Sequence, residues 1–141
     1  MIKLRLIAVG KIKSKPVHEL AGEYASRLVH YFPLERIEAK DESSALKMIG
    51  DKDHLVICDE HGQQKSSVEL ANWLAARENQ RIKRLVFFIG GPEGVGPEMK
   101  KRGNSILALS RMTFPHEMTQ AILLEQLYRA ATILKGEAYH K

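Results

Sequence analysis

The chain has 141 residues, 44% hydrophobic and 28% charged, with 22 Lys and Arg against 17 Asp and Glu for a formal net charge of +5. At roughly 150 residues per domain this is a single domain, residues 1–141, expected to bury on the order of 70% of its unfolded surface without staples. The single cysteine, Cys58, excludes an intrachain disulfide framework. No Cys/His group has zinc-site spacing, and no apolar run approaches the roughly 18 residues that span a bilayer, so neither a metal nor a membrane is expected. The opening Met1-Ile2-Lys3-Leu4-Arg5 interrupts its apolar residues with charge too early for a signal peptide, which points to a cytoplasmic chain. The basic balance suits a polyanionic partner, as it does in many plain cytosolic proteins.

Strand-length apolar runs alternate with stretches of helical period. Ile2 to Val9 reads as a strand ended by Gly10, and Ile7-Ala8-Val9 is apolar without a break, as in a strand covered on both faces. Beyond a basic run at Lys11, Lys13 and Lys15, residues Val17, Leu20, Ala21, Tyr24, Ala25, Leu28 and Val29 share one helical stripe closed by Pro33. Leu34 to Ala39 is a weak strand, and Ser44 to Ile49 at most a short helix. His54 to Cys58 is a buried strand, with Asp59-Glu60-His61-Gly62 as the turn that ends it. Ser66 and Glu69 fit a capping box for the helix carrying Val68, Ala71, Leu74 and Ala75. Leu85 to Ile89 is the most hydrophobic strand and runs into Gly90 to Pro97, where Pro97 suits the first turn of a short helix. Ile106 to Leu109 is a fifth strand, Ser110 to Pro115 a loop, and His116 to Leu134 a long helix.

This order predicts βαβ units, hence an α/β fold with a mostly parallel sheet flanked by helices. Ligands in such sheets sit beyond the carboxyl ends of the strands, so the segments after Cys58, Ile89 and Leu109 are where a site is sought. The last helix shows more apolar circumference than one sheet face needs. That surplus predicts a homodimer contact unless the N-terminal helix covers it.

In Gly90 to Pro97 only Glu93 and Val95 interrupt glycine and proline, so backbone groups there are open to close approach by a ligand. The stretch matches neither the P-loop nor the dinucleotide fingerprint, which weakens ATP and NAD readings. A plain turn is the structural alternative, although eight residues exceed the usual roughly two to six for such a connection. Leu109 to His116 offers apolar Met112 and Phe114 with free backbone groups, suited to an adenine-sized ring or simply to a loop. Tyr139-His140-Lys141 reads as a frayed end or as a pair that stacks on a nucleobase. The basic clusters at Lys11 to Lys15, Arg81 to Arg84 and Lys100 to Arg102 are diffuse electrostatics. Asp59 and Glu60 are a base candidate or solvated turn residues.

Taken together, Ile89-Gly90-Gly91-Pro92-Glu93-Gly94, the Thr113-Phe114-Pro115-His116 stretch, Glu125-Gln126-Leu127-Tyr128-Arg129-Ala130 and the closing Gly136 to Lys141 resemble the RlmH family, small methyltransferases of the SPOUT superfamily. The opening Ile7-Ala8-Val9-Gly10-Lys11 resembles it as well, so the likeness spans nearly the whole chain. The resemblance implies a C-terminal trefoil knot, a feature nearly absent among folds. It further implies an S-adenosylmethionine site in the knot, a homodimer, and methylation of N3 of a pseudouridine in large-subunit ribosomal RNA on the assembled ribosome. It places cofactor contacts at Cys58, Gly90, Leu109, Ser110, Arg111, Met112, Thr113 and Phe114. Tyr139 and His140 would serve the target base in a site shared between subunits, His140 as base or orienter and Tyr139 as donor or stacking surface, with Arg129 as an anion contact. Two departures stand out: the segment before Asp53 is shorter than is common in the family, and Gln120 occupies a position where many relatives carry arginine. A ribosome-associated RNA-binding protein without catalysis, or a small nucleotide-binding module, are the rival readings.

Overall fold

Leu85 to Ile89 is apolar at every position, which demands cover on both faces, and it lies near the middle of the sheet. The computed structural model describes residues 1–141. Its elements in chain order are β1 (Lys3–Val9), α1 (Lys15–Leu28), β2 (Leu34–Ala39), α2 (Glu42–Leu46), β3 (His54–Gln64), α3 (Ser67–Asn79), β4 (Arg84–Ile89), α4 (Pro97–Arg102), β5 (Ser105–Ala108) and α5 (His116–Leu134). The strands form one sheet in the order β2-β1-β4-β3-β5, every neighbouring pair parallel. Helices therefore make the crossovers, as parallel pairing requires.

The two faces are covered unequally. On one face the side chains of α1, α3 and α5 join Leu4, Leu6, Phe87 and Ile89 in a core of 22 buried residues. On the other, Ile7, Leu55, Ile57, Val86, Phe88 and Met99 belong to a core of 8 beneath the two short helices. The capping box of α3 is formed in both directions: Glu69 N–H donates to Ser66 Oγ at 3.0 Å, and Ser66 N–H to Glu69 Oε1 at 2.7 Å. α2 begins before the expected Ser44, because Asp41 caps it by accepting from Ser44 N–H at 2.7 Å.

Two expectations need correction. Asp59-Glu60-His61-Gly62 does not end the third strand. Cys58 and Gln63 both align with Leu107, so the intervening residues bulge outward and β3 resumes to Gln64. The surplus apolar width of α5 is also satisfied within the chain: α1 packs along it and α3 beside it, burying Leu123, Leu124, Leu127, Ala130 and Ala131. That width therefore gives no argument for a second subunit. Conversely, part of the α1 stripe is exposed, at Leu20 and Val29. No helix is long and apolar enough to cross a membrane.

Candidate active site

Parallel strands release their carboxyl ends on one edge of the sheet, and here three neighbours, β4, β3 and β5, open onto the same cleft. Its volume is about 750 Å³, inside the roughly 300–1,000 Å³ usual for small-molecule sites. Cys58, Gly90, Thr113 and Phe114 border it. A recess of about 50 Å³ continues from it, lined by Leu109, Ser110, Met112 and again Phe114. Arg111 borders neither space and lies exposed.

Main chain builds the β4 side. Gly91 accepts from Gly94 N–H at 3.0 Å, closing a turn with Pro92 in its second position. Gly90 lies beneath that turn, and a Cβ on it would meet the Gly94 carbonyl oxygen at 2.7 Å, so no other residue fits without moving the loop. The far end of the loop is tied to the other layer, where Gly96 N–H donates to Glu42 Oε1 at 2.8 Å. The segment is thus both a turn and a cleft wall. On the β5 side, Ser110 Oγ accepts from Met112 N–H at 3.0 Å and curls the loop over the recess.

The bulge in β3 supplies charge. Asp59 Oδ1 accepts from His61 N–H at 2.8 Å and faces the His61 ring Nδ1 at 2.9 Å, with Lys100 Nζ 3.7 Å from its other oxygen. Burial opposes ionisation of Asp59, but the His61 hydrogen bonds and the Lys100 charge together hold its carboxyl below the ordinary range. An ionised carboxylate on the wall suits a cationic ligand. Burial first, and the Asp59 charge second, push the Cys58 thiol up to about 12, so it is wall rather than nucleophile.

A second cluster lies along α5. Gly136, at φ 70°, ends the helix in a Schellman motif in which Gly136 N–H donates to Ile133 O at 3.0 Å and Glu137 N–H to Thr132 O at 2.9 Å. The chain thereby turns back on the helix. Tyr139 Oη donates to Glu125 Oε2 at 2.7 Å, and its ring meets Tyr128 edge-on at 4.6 Å. Arg129 donates to the same Glu125 oxygen at 2.9 Å, reaches His140 Nδ1 at 3.1 Å, and lies 4.7 Å over the Tyr139 ring. Tyr31 Oη holds Glu137 at 2.6 Å, which pushes the Tyr31 phenol up to about 12. Burial and then the Glu125 bond raise the Tyr139 phenol further, so it is a donor and not a base.

The tail is therefore tied down rather than frayed, and Arg129 is engaged by Glu125 and His140 rather than free for an anion. None of Arg129, Tyr139 and His140 borders the cleft of its own chain. His116 and Thr119 are the α5 residues on the cleft, and Glu125 lies roughly 9 Å beyond Thr119 along the helix at 1.5 Å per residue. Sequence reasoning assigned no role to Glu42, Thr119 or Glu125. The i, i+4 spacing of Glu125 and Arg129 is a signal that was there to read; the contact of Glu42 with Gly96 leaves none.

A parallel α/β sheet with main-chain loops opening a cleft past three strand ends fits a SPOUT methyltransferase, and the chain belongs to that family: the family model described as predicted SPOUT methyltransferase matches residues 2–140. Within it, the curated relatives are more particular. Proteins named Ribosomal RNA large subunit methyltransferase H from Gloeobacter violaceus and Koribacter versatilis are 38% and 40% identical, over 99% of this chain and 99% and 98% of theirs. One of the same name from Coprothermobacter proteolyticus is 39% identical over 99% of this chain and all of its own. Among solved structures, a probable methylase family protein from Haemophilus influenzae superposes with TM-score 0.61 at 14% identity, covering 100% of this chain and 72% of that one. A probable methyltransferase from Bordetella pertussis gives 0.57 at 10% identity over 92% of this chain and 96% of that one. These two structures speak to the fold alone.

Proposed function

We propose that the chain transfers a methyl group from S-adenosylmethionine to N3 of a pseudouridine in large-subunit ribosomal RNA, on the assembled ribosome in the cytoplasm. Full-length similarity to proteins named Ribosomal RNA large subunit methyltransferase H supports the substrate class. The observation that carries the cofactor is the cleft itself, with main-chain groups from Gly90 and the 109–114 loop, apolar Leu109 and Phe114, and an ionised Asp59 beside them. That donor set fits S-adenosylmethionine: carboxylate for a sulfonium and ammonium, apolar side chains for the adenine, free backbone groups for its edge. In this reading Cys58, Gly90, Leu109, Ser110, Met112, Thr113 and Phe114 hold the cofactor, and Arg111 lies on the loop exposed to the RNA.

The bound cofactor supplies an electrophilic methyl carbon whose bonding electrons leave with sulfur. The protein holds the donor, aligns the acceptor nitrogen and stabilises the negative charge as the N3 proton passes to solvent. Tyr139 and His140 serve the base, and because they lie outside the cleft of their own chain the reading requires a homodimer in which one subunit's tail completes its partner's site. The reading also includes a C-terminal trefoil knot within one 1–141 domain.

Titration calorimetry with S-adenosylmethionine and with ATP, followed by methylation of ribosomes from a strain lacking this chain, is the test. Micromolar binding of the former alone, together with restoration of a methylated pseudouridine seen by nucleoside mass spectrometry, is expected. Ribosome binding without cofactor binding favours the RNA-binding protein without catalysis.

A further inference from the structure

Resting on the reading that His140 faces the acceptor base, we propose that Arg129 is a positioning residue that fixes His140 in its Nε2–H tautomer, so that the ring meets the base as a hydrogen-bond donor and not as a proton acceptor. A guanidinium carries only donors. The 3.1 Å contact between Arg129 Nη1 and His140 Nδ1 therefore requires a lone pair on Nδ1, and the ring proton must sit on Nε2. Arg129 is itself held. Its Nη2 donates to Glu125 Oε2 at 2.9 Å, its Cζ lies 4.7 Å over the Tyr139 ring, and Tyr139 Oη occupies the same carboxylate oxygen at 2.7 Å. One carboxylate thus aims the guanidinium that selects the tautomer of the histidine.

The consequence is chemical. As N3 of a uracil-like ring becomes the nucleophile, charge spreads to the flanking carbonyl oxygens, and an Nε2–H is placed to stabilise it there. With Nδ1 occupied by Arg129 and Nε2 protonated, the ring has no free lone pair for the N3 proton, which goes to water. This removes the choice between base and orienter for His140 in favour of the second.

Long-range proton–nitrogen correlation of the imidazole in ¹⁵N-labelled full-length protein at neutral pH reads the tautomer directly, with His140→Gln identifying the signal. The expected pattern is a protonated Nε2 and a bare Nδ1, turning to mixed tautomers in Arg129→Ala. A protonated Nδ1 in the wild type, or a pattern unmoved in Arg129→Ala, overturns the proposal. Methyl transfer supplies a second readout. In His140→Gln the amide oxygen accepts from Arg129 and the amide N–H donates as Nε2–H did, so activity stays within about 10-fold. His140→Glu can accept protons and cannot donate, and loses about 10²-fold, the usual cost of one transition-state donor. Activity retained in His140→Glu but lost in His140→Gln refutes the donor role. The resonance measurement needs neither ribosome nor cofactor, so an Nε2–H ring in a protein that methylates nothing would sink the proposed function and the donor role at the base while leaving the tautomer set by Arg129 standing.

Discussion

The cleft and the tail cluster are built from opposite materials. The cleft wall from Gly90 to Gly96 is main chain, held by its own turn and by one carboxylate, Glu42, at the far end and shaped by the near absence of side chains, whereas the cluster around Glu125 is side chain held by side chain, with Arg129, Tyr139 and Tyr128 locking one another. A backbone wall fails by steric intrusion, all at once. A side-chain cluster fails one hydrogen bond at a time. In the proposed division of labour the first holds the cofactor and the second serves the acceptor, so each kind of change should move one readout and spare the other.

The largest effect should come from Gly90→Val, which drives a Cβ against the Gly94 carbonyl. Affinity for S-adenosylmethionine by calorimetry is expected to fall at least about 10²-fold, the scale set by displacement of a site on the order of 1 Å. An unchanged affinity breaks the distinction. Next is Tyr139→Phe, which removes a hydrogen bond to a carboxylate worth about 1.5–3 kcal/mol. Methylation of ribosomes should drop about 10-fold or more while cofactor affinity holds, and a parallel loss of both would join the two regions into one.

Smaller changes sharpen the picture. Glu42→Ala removes the clamp on Gly96 N–H at one end of the loop, and with about 1 kcal/mol of that bond transmitted to the cleft the cofactor dissociation constant should rise about 5-fold. The depressed carboxyl of Asp59 makes a signed prediction. Stability from its hydrogen bonds is fully present above the ordinary carboxylate value of about 3.9 and is lost as pH falls through the lower folded value. Thermal melts should therefore show Asp59→Asn below wild type at neutral pH, with the gap closing only in strong acid. The smallest effect is at Cys58, where a thiol raised to about 12 should resist iodoacetamide at pH 8 while added glutathione reacts.

Much of this was legible in the residues. Most strands and helices announced themselves by period or by an uninterrupted apolar run, β2 and α2 only weakly and α4 through Pro97 alone, and Ser66 with Glu69 even specified the cap of α3. The glycine loop was legible as a wall because bulk is a property each residue carries alone. Two features were not. A bulge like that at residues 59–62 looks locally like a turn, and only pairing with Leu107 shows that the strand resumes. Whether the wide stripe of α5 meets a second subunit or α1 and α3 depends on where those helices land, which no pattern within α5 records.

The sequence by itself determined the alternation of strands and helices, the strand ends where a cleft would open and, through resemblance, the family, because local period and glycine content act over a few residues. Only the tertiary structure decided that Asp59 is an ionised wall of the cleft, that Glu42 clamps its loop, and that the closing Tyr139 and His140 are gathered by Glu125 and Arg129 away from their own cleft. Those contacts join residues up to 54 positions apart, and hydrogen bonds of that span exist only once packing has brought their ends together.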